Sequence, residues 1–267
     1  MLSVVPSLAL LLTLSACRED FTACESDMVG CHEVDGGRYL SVAPEDADGP
    51  MPALVYFHGY SSSASAQVRK SWVEDDLQAR GWLSVFPDGM DNTWSHDGSP
   101  SDERDEIAFL DAVMADVAER WEVSAFHGSG FSQGASMAWY AACYRGDAFT
   151  AFFPASGSFW EPLPESCAGG PVHLRHTHGT SDGTFPLEGR GIGLSYRQGD
   201  TYDGMAFWRE QNGCGETPDR EEVEGEVTCG IWDTCEAGRE LRFCLHDGGH
   251  SSADDWMTQN LDWVEGL

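Results

Sequence analysis

The chain has 267 residues, 41% of them hydrophobic and 11% aromatic, with 10 Trp among them. This is enough apolar surface for one large core or two small ones, and it excludes disorder, collagen-like repeats and a coiled coil. Asp and Glu outnumber Lys and Arg by 45 to 15, a formal charge of -30, which excludes nucleic-acid binding through a basic face.

In chain order, the first feature is the apolar run Leu2 to Ala16, too short to span a bilayer. Residues 1–17 read as an export signal, and Leu14-Ser15-Ala16-Cys17 has the form of a lipobox, with Cys17 as the lipidation candidate. A lipid anchor there is the one expected link to a membrane. No Lys or Arg precedes the run, a departure from the usual signal. Residues 18–36 read as an N-terminal segment and 37–267 as one folded domain.

Beyond Cys17 the chain holds Cys24, Cys31, Cys143, Cys167, Cys214, Cys229, Cys235 and Cys244. An even number suits a disulfide framework in an oxidising compartment. The spacing offers no CxxC pair and no zinc-type Cys/His cluster. The expected bridges are Cys24–Cys31 and Cys143–Cys167, with the last four cysteines paired among themselves.

From about residue 37, short apolar runs alternate with helical periods, the pattern of an α/β domain with a mostly parallel sheet. Strands are expected at 52–57, 82–86, 123–126, 149–154, 172–177 and 241–246. Helices are expected at 65–80, 104–121, 133–144, 202–212 and 252–265. In the second of these, Ile107, Leu110, Val113, Met114, Val117 and Trp121 share one face at 3.6-residue spacing. The Glu-rich stretch Glu216 to Glu226 reads as a solvated excursion.

G-x-S-x-G occurs twice, as Gly130-Phe131-Ser132-Gln133-Gly134 and as Gly179-Thr180-Ser181-Asp182-Gly183. A serine nucleophile of this type needs a sharp strand-to-helix turn, with small flanking residues and a helix N-terminus that favours a developing oxyanion. Ser132 lies between a strand-like segment and the helix former Ala135 to Ala142. Ser181 runs into Thr184-Phe185-Pro186, which starts no helix. Such a serine also needs a base and a group to orient it. In the order nucleophile, acid, histidine, Asp182 follows the strand 172–177 and His250 follows the last strand. His246 is the rival base, and Asp200, Asp203 and Asp247 are rival acids. The oxyanion hole calls for the main-chain N–H groups of Gln133 and, after His58-Gly59, of Tyr60. Trp94 and Trp160, in loops after strands, are candidates to line the acyl or alcohol site.

These residues resemble the secreted esterase group of polyhydroxybutyrate depolymerases and feruloyl esterases, within the α/β-hydrolase superfamily. The resemblance spans about residues 37 to 265. It rests on Val55-Tyr56-Phe57-His58-Gly59, Phe86-Pro87-Asp88-Gly89, the Ser132 motif, Ala151 to Gly157, His178-Gly179-Thr180-Ser181-Asp182 and Gly248-Gly249-His250. It implies an α/β-hydrolase fold and the same Ser132, Asp182 and His250. One departure stands out: many relatives carry Trp-Pro and a longer loop after the histidine, whereas here Ser251-Ser252 follows.

The expected function is therefore an exported serine esterase acting on a small or oligomeric ester, of polyhydroxyalkanoate, feruloyl or acetyl type, through an acyl-enzyme. That chemistry needs no metal and no organic cofactor. A serine peptidase of the same superfold and a non-catalytic surface lipoprotein retaining the fold stay open as alternatives. His173, His176 and His178 could bind a metal from one strand face, but the resemblance assigns His178 to the acid-loop motif. Gly189 to Gly193 lacks the third glycine of a dinucleotide loop and reads as a plain loop.

Overall fold

The computed structural model describes residues 29–45 and 49–267. In chain order the elements are β1 (Val29–Val34), β2 (Gly37–Val42), β3 (Met51–Phe57), α1 (Ala64–Gln67), β4 (Leu83–Pro87), α2 (Glu106–Arg120), β5 (Val123–Gly130), α3 (Gln133–Arg145) and β6 (Ala151–Phe152). There follow β7 (His173–Gly179), β8 (Arg190–Ile192), β9 (Tyr196–Gln198), α4 (Thr201–Asn212), β10 (Arg220–Glu224), β11 (Val227–Trp232), β12 (Leu241–His246) and α5 (Trp256–Glu265). Ten strands form one sheet in the order β1-β2-β4-β3-β5-β6-β7-β12-β11-β10, and β8 pairs with β9 apart from it. The six central strands, from β4 across to β12, run parallel. An antiparallel pair flanks them on each side.

Strand side chains alternate between faces, so a sheet covered on both sides needs apolar residues at nearly every central position. β3 meets that need. Ala53, Val55 and Phe57 enter one core with α2, α3 and α4, while Leu54 and Tyr56 enter the other with α5 and the segment around Val73 and Leu77. Among the described residues no helix is long and apolar enough to cross a membrane.

Four expectations change. The sheet begins at Val29, inside the expected N-terminal segment 18–36, because β1 pairs with β2 along its whole length. The helix expected over 65–80 is broken into α1, a wide turn at Val73–Leu77 and a tight one at Gln78–Arg80. The buried pairs Ala64/Gln67 and Val73/Leu77 explain the break. Six residues separate Gln67 from Val73, about 240° of rotation on a regular helix, so a straight one could not bury both pairs. The strand expected over 149–154 shortens to β6, since Pro154 has no N–H to continue the ladder. The Glu-rich excursion contains β10, the sheet edge, whose Glu222 and Glu224 approach Arg242 at 3.7 and 3.0 Å.

Three disulfides join described residues: Cys143–Cys167, Cys214–Cys235 and Cys229–Cys244. The first is the expected local bridge, and the other two pair the last four cysteines among themselves. Cys31 is disulfide-bonded, while Cys24 and Cys17 lie outside the described residues.

Candidate active site

The C-terminal ends of the parallel strands converge where an open α/β sheet offers its crevice. Ser132 sits between β5 and α3 with φ 58° and ψ -125°, a region that costs a non-glycine residue about 1–3 kcal/mol. The flanking glycines permit the turn. A Cβ on Gly134 would lie 2.0 Å from the Phe57 carbonyl oxygen, and one on Gly130 would lie 2.3 Å from the Gly134 carbonyl oxygen. β3, the turn and α3 therefore pack backbone against backbone, and the Ser132 side chain is lifted clear.

Ser132 Oγ–H donates to His250 Nε2 over 2.8 Å, and His250 Nδ1–H donates to Asp182 Oδ2 over 2.7 Å. Asp182 accepts further N–H bonds on Oδ1 from Thr184 and Phe185, both at 2.8 Å. Burial alone would raise its proton affinity. The nearby His178, and hydrogen bonds from His250 and the two amides, outweigh burial and hold the carboxyl well below the usual carboxylate range. An ionised carboxylate only accepts, which fixes the His250 proton on Nδ1 and leaves Nε2 free to receive one.

The loops that carry Asp182 and His250 are tied to each other. Thr180 N–H donates to the His246 carbonyl at 2.8 Å, and Ser181 N–H to the Gly248 carbonyl at 3.0 Å. His246, the rival base, is spent on this loop: it takes the Gly248 N–H on Nδ1 and donates from Nε2 to the Ser251 carbonyl. Ser251 also accepts from Ser156 Oγ, so the short Ser251-Ser252 continuation anchors the His250 loop. Asp200 is engaged elsewhere, capping α4 through the Tyr202 and Asp203 amides.

Gly59 brings the loop after β3 against Ser132, since a Cβ there would meet Ser132 Cβ at 3.4 Å. Among the described residues, the main-chain N–H groups of Tyr60 and Gln133 donate to no protein acceptor. The Gln133 side chain donates to Thr93 Oγ1 and to the Trp94 carbonyl, holding the loop after β4 to the start of α3. Sequence reasoning missed His58, which is fully buried and bridges two loops. It donates from Nδ1 to the Gly59 carbonyl and accepts the Gly89 N–H on Nε2, both at 2.9 Å. The motifs that carry the resemblance already contained both ends of that bridge.

Trp94 and Trp160 do not line a site. Trp94 is 0% exposed and donates its indole N–H to the His58 carbonyl at 2.7 Å, so it props the loop from within. Trp160 is 5% exposed and donates to Ser136 Oγ. Both indoles are buried with their N–H groups satisfied inside the protein. The exposed aromatic at the site is Tyr60, 70% accessible. His176 and His178 hydrogen-bond to each other at 2.9 Å, and among the described residues no group of three or more His, Cys, Asp or Glu could hold a metal ion.

No family model matches the sequence. Among curated proteins the chain is 25% identical over 235 residues to a probable feruloyl esterase C of Aspergillus niger, covering 84% of this chain and 80% of that one. With the probable feruloyl esterase C of Aspergillus clavatus it shares 27% over 235 residues, covering 84% and 79%. Among solved structures, an acetyl xylan esterase from Aspergillus awamori superposes with a TM-score of 0.65 at 11% identity, covering 90% of this chain and 99% of that one. An S-formylglutathione hydrolase from Agrobacterium tumefaciens superposes with a TM-score of 0.58 at 13% identity, covering 89% and 94%. At such identities the structural likeness speaks for the fold, and the curated relatives carry the rest. The chain has the α/β-hydrolase fold, is similar to feruloyl esterases, and is a carboxylic ester hydrolase.

Proposed function

We propose that the protein is an exported serine esterase that cleaves feruloyl-, acetyl- or hydroxyalkanoate-type esters through an acyl-enzyme on Ser132. The observation that carries this reading is the row Ser132–His250–Asp182, with contacts of 2.8 and 2.7 Å drawn from three separate loops. His250 Nε2 takes the Ser132 proton as Oγ attacks the ester carbonyl, while Asp182 stabilises the imidazolium. The Tyr60 and Gln133 amides receive the oxyanion. His250 then returns its proton to the departing alcohol, leaving the acyl group on Ser132. Water, activated by the same imidazole, releases the acid and restores the serine.

The three disulfides support an oxidising compartment, and with the signal-like residues 1–17 they support export. Lipidation of Cys17 belongs to the same proposal. The test is a pair of substitutions assayed on aryl acetates, methyl ferulate and a hydroxybutyrate oligomer. Ser132→Ala is expected to lose activity by on the order of 10⁶-fold, and Ser181→Ala to keep most of it. Equal losses at the two serines would assign the nucleophile wrongly.

A further inference from the structure

Two fully buried imidazoles stand behind the Ser132–His250–Asp182 row without belonging to it. His176 and His178 lie two residues apart on β7 and so share one face of the strand. Trp139 on α3 donates its indole N–H to His176 Nδ1 at 3.2 Å. An indole only donates, so His176 carries its proton on Nε2. That N–H points at His178 Nδ1, 2.9 Å away, which places the His178 proton on Nε2 in turn. There it meets two oxygens, the Phe185 carbonyl at 2.8 Å and Asp182 Oδ2 at 3.4 Å. Reversing any one link would set two lone pairs or two protons face to face, so Trp139 dictates the direction of the whole series. Charge does not interrupt it at His176, where burial first and His178 second push the imidazole well below its usual range.

We infer that Trp139, His176 and His178 form a directed hydrogen-bond chain that positions Asp182: His178 Nε2–H holds the carbonyl of Phe185, whose own N–H binds Asp182 Oδ1, and it faces Oδ2, the oxygen that orients His250, from 3.4 Å. The inference rests on the roles proposed above for Ser132, His250 and Asp182. His176 and His178 are positioning residues, since neither touches the reacting atoms. The titratable groups touching Asp182 are His178 from β7 and His250 from the loop after β12; those touching His178 are His176 and Asp182. The other neighbours in the series, Trp139, Thr184 and Phe185, are uncharged. Asp182 Oδ2 thus faces the His250 N–H at 2.7 Å and, more weakly, the positive edge of His178 at 3.4 Å. Without the His178 donor, more of the carboxylate charge acts on His250, whose proton is then held more tightly.

Two measurements on the whole protein test this. In ¹⁵N NMR of histidine-labelled protein, His178 is expected to show the Nε2–H tautomer that its hydrogen bonds dictate. A proton on Nδ1, or on both nitrogens, overturns the chain. In the second measurement His178→Gln retains a donor near the position of Nε2, whereas His178→Leu retains none. The leucine variant is expected to lose about threefold to tenfold in kcat, the weight of a neutral hydrogen bond, and its acid limb of kcat/KM moves to higher pH. The glutamine variant restores the limb. A limb unmoved by leucine, or moved equally by both, means that His178 only fills space. Ser132→Ala serves as the control: if it remains active, the acyl-enzyme reading on Ser132 fails, whereas the NMR result judges the chain without reference to activity.

Discussion

Asp182→Asn changes one charge and almost no volume, and the surroundings decide how the new amide sits. Oδ1 of Asp182 faces two N–H donors at 2.8 Å, so the amide oxygen must take that place. The NH₂ is then turned toward His250 Nδ1 and the His178 N–H. An NH₂ only donates, so His250 gives up its Nδ1 proton and carries it on Nε2 instead. Nε2 is the nitrogen 2.8 Å from Ser132 Oγ, and once protonated it cannot accept the serine proton. The site keeps its shape and loses its base. The same exchange in other serine triads lowers kcat about 10⁴-fold, and at ~1.36 kcal/mol per factor of ten this is about 5.4 kcal/mol of barrier. Initial rates on an aryl acetate, at saturating and limiting substrate, measure it, and KM is expected to change little because no substrate contact is removed. A correctly folded variant that loses less than tenfold would refute the reasoning, since His250 would then reach its working tautomer without the carboxylate.

The pH response follows from the same groups. Because Asp182 is held ionised well below the usual carboxylate range, it contributes no step above about pH 4. kcat/KM should therefore climb with pH along a limb of unit slope, from loss of one proton by the base; a slope of two on the acid side would contradict this. For Trp94, Trp94→Ala should lower the unfolding free energy by about 3–5 kcal/mol, read from denaturant midpoints. In Trp94→Phe, KM for small esters should stay within about threefold, and a large rise in KM would return Trp94 to the substrate site.

What the sequence made legible was the part written in local chemistry. The chain order of Ser132, Asp182 and His250 could be read because each follows a buried strand, and strands buried on both faces announce themselves as apolar runs, as at Met51–Phe57. Elements that lack such runs were missed. β1 and β2 meet through Asp35-Gly36, a two-residue hairpin signal, but their polar alternation hid it. β10 and β11 turn through Gly225, whose φ is 60°, yet the surrounding glutamates disguised the strand. Trp94 and Trp160 failed for another reason: their place after strands was read correctly, but which way a loop side chain turns depends on partners such as the His58 carbonyl, distant in the sequence.

The glutamates of β10 also decide how that edge strand is paired. Glu224 reaches Arg242 and Arg175, both at 3.0 Å, and the Arg175 side chain is only 1% exposed. Strand side chains alternate with a period of two, so a slip of one residue against β11 would swing Glu222 and Glu224 to the opposite face. Arg175 would lose its carboxylate while still buried, and a buried charge deprived of its partner costs about 3–5 kcal/mol. Correct pairing adds little net stability in comparison, because the ions give up water to meet. The ion pairs therefore act on the choice between alignments more than on the strength of any one. An outermost strand has a neighbour on one side only, and β10 has few apolar side chains to set its place. Its acidic run supplies the address that a hydrophobic pattern supplies to the strands at the centre.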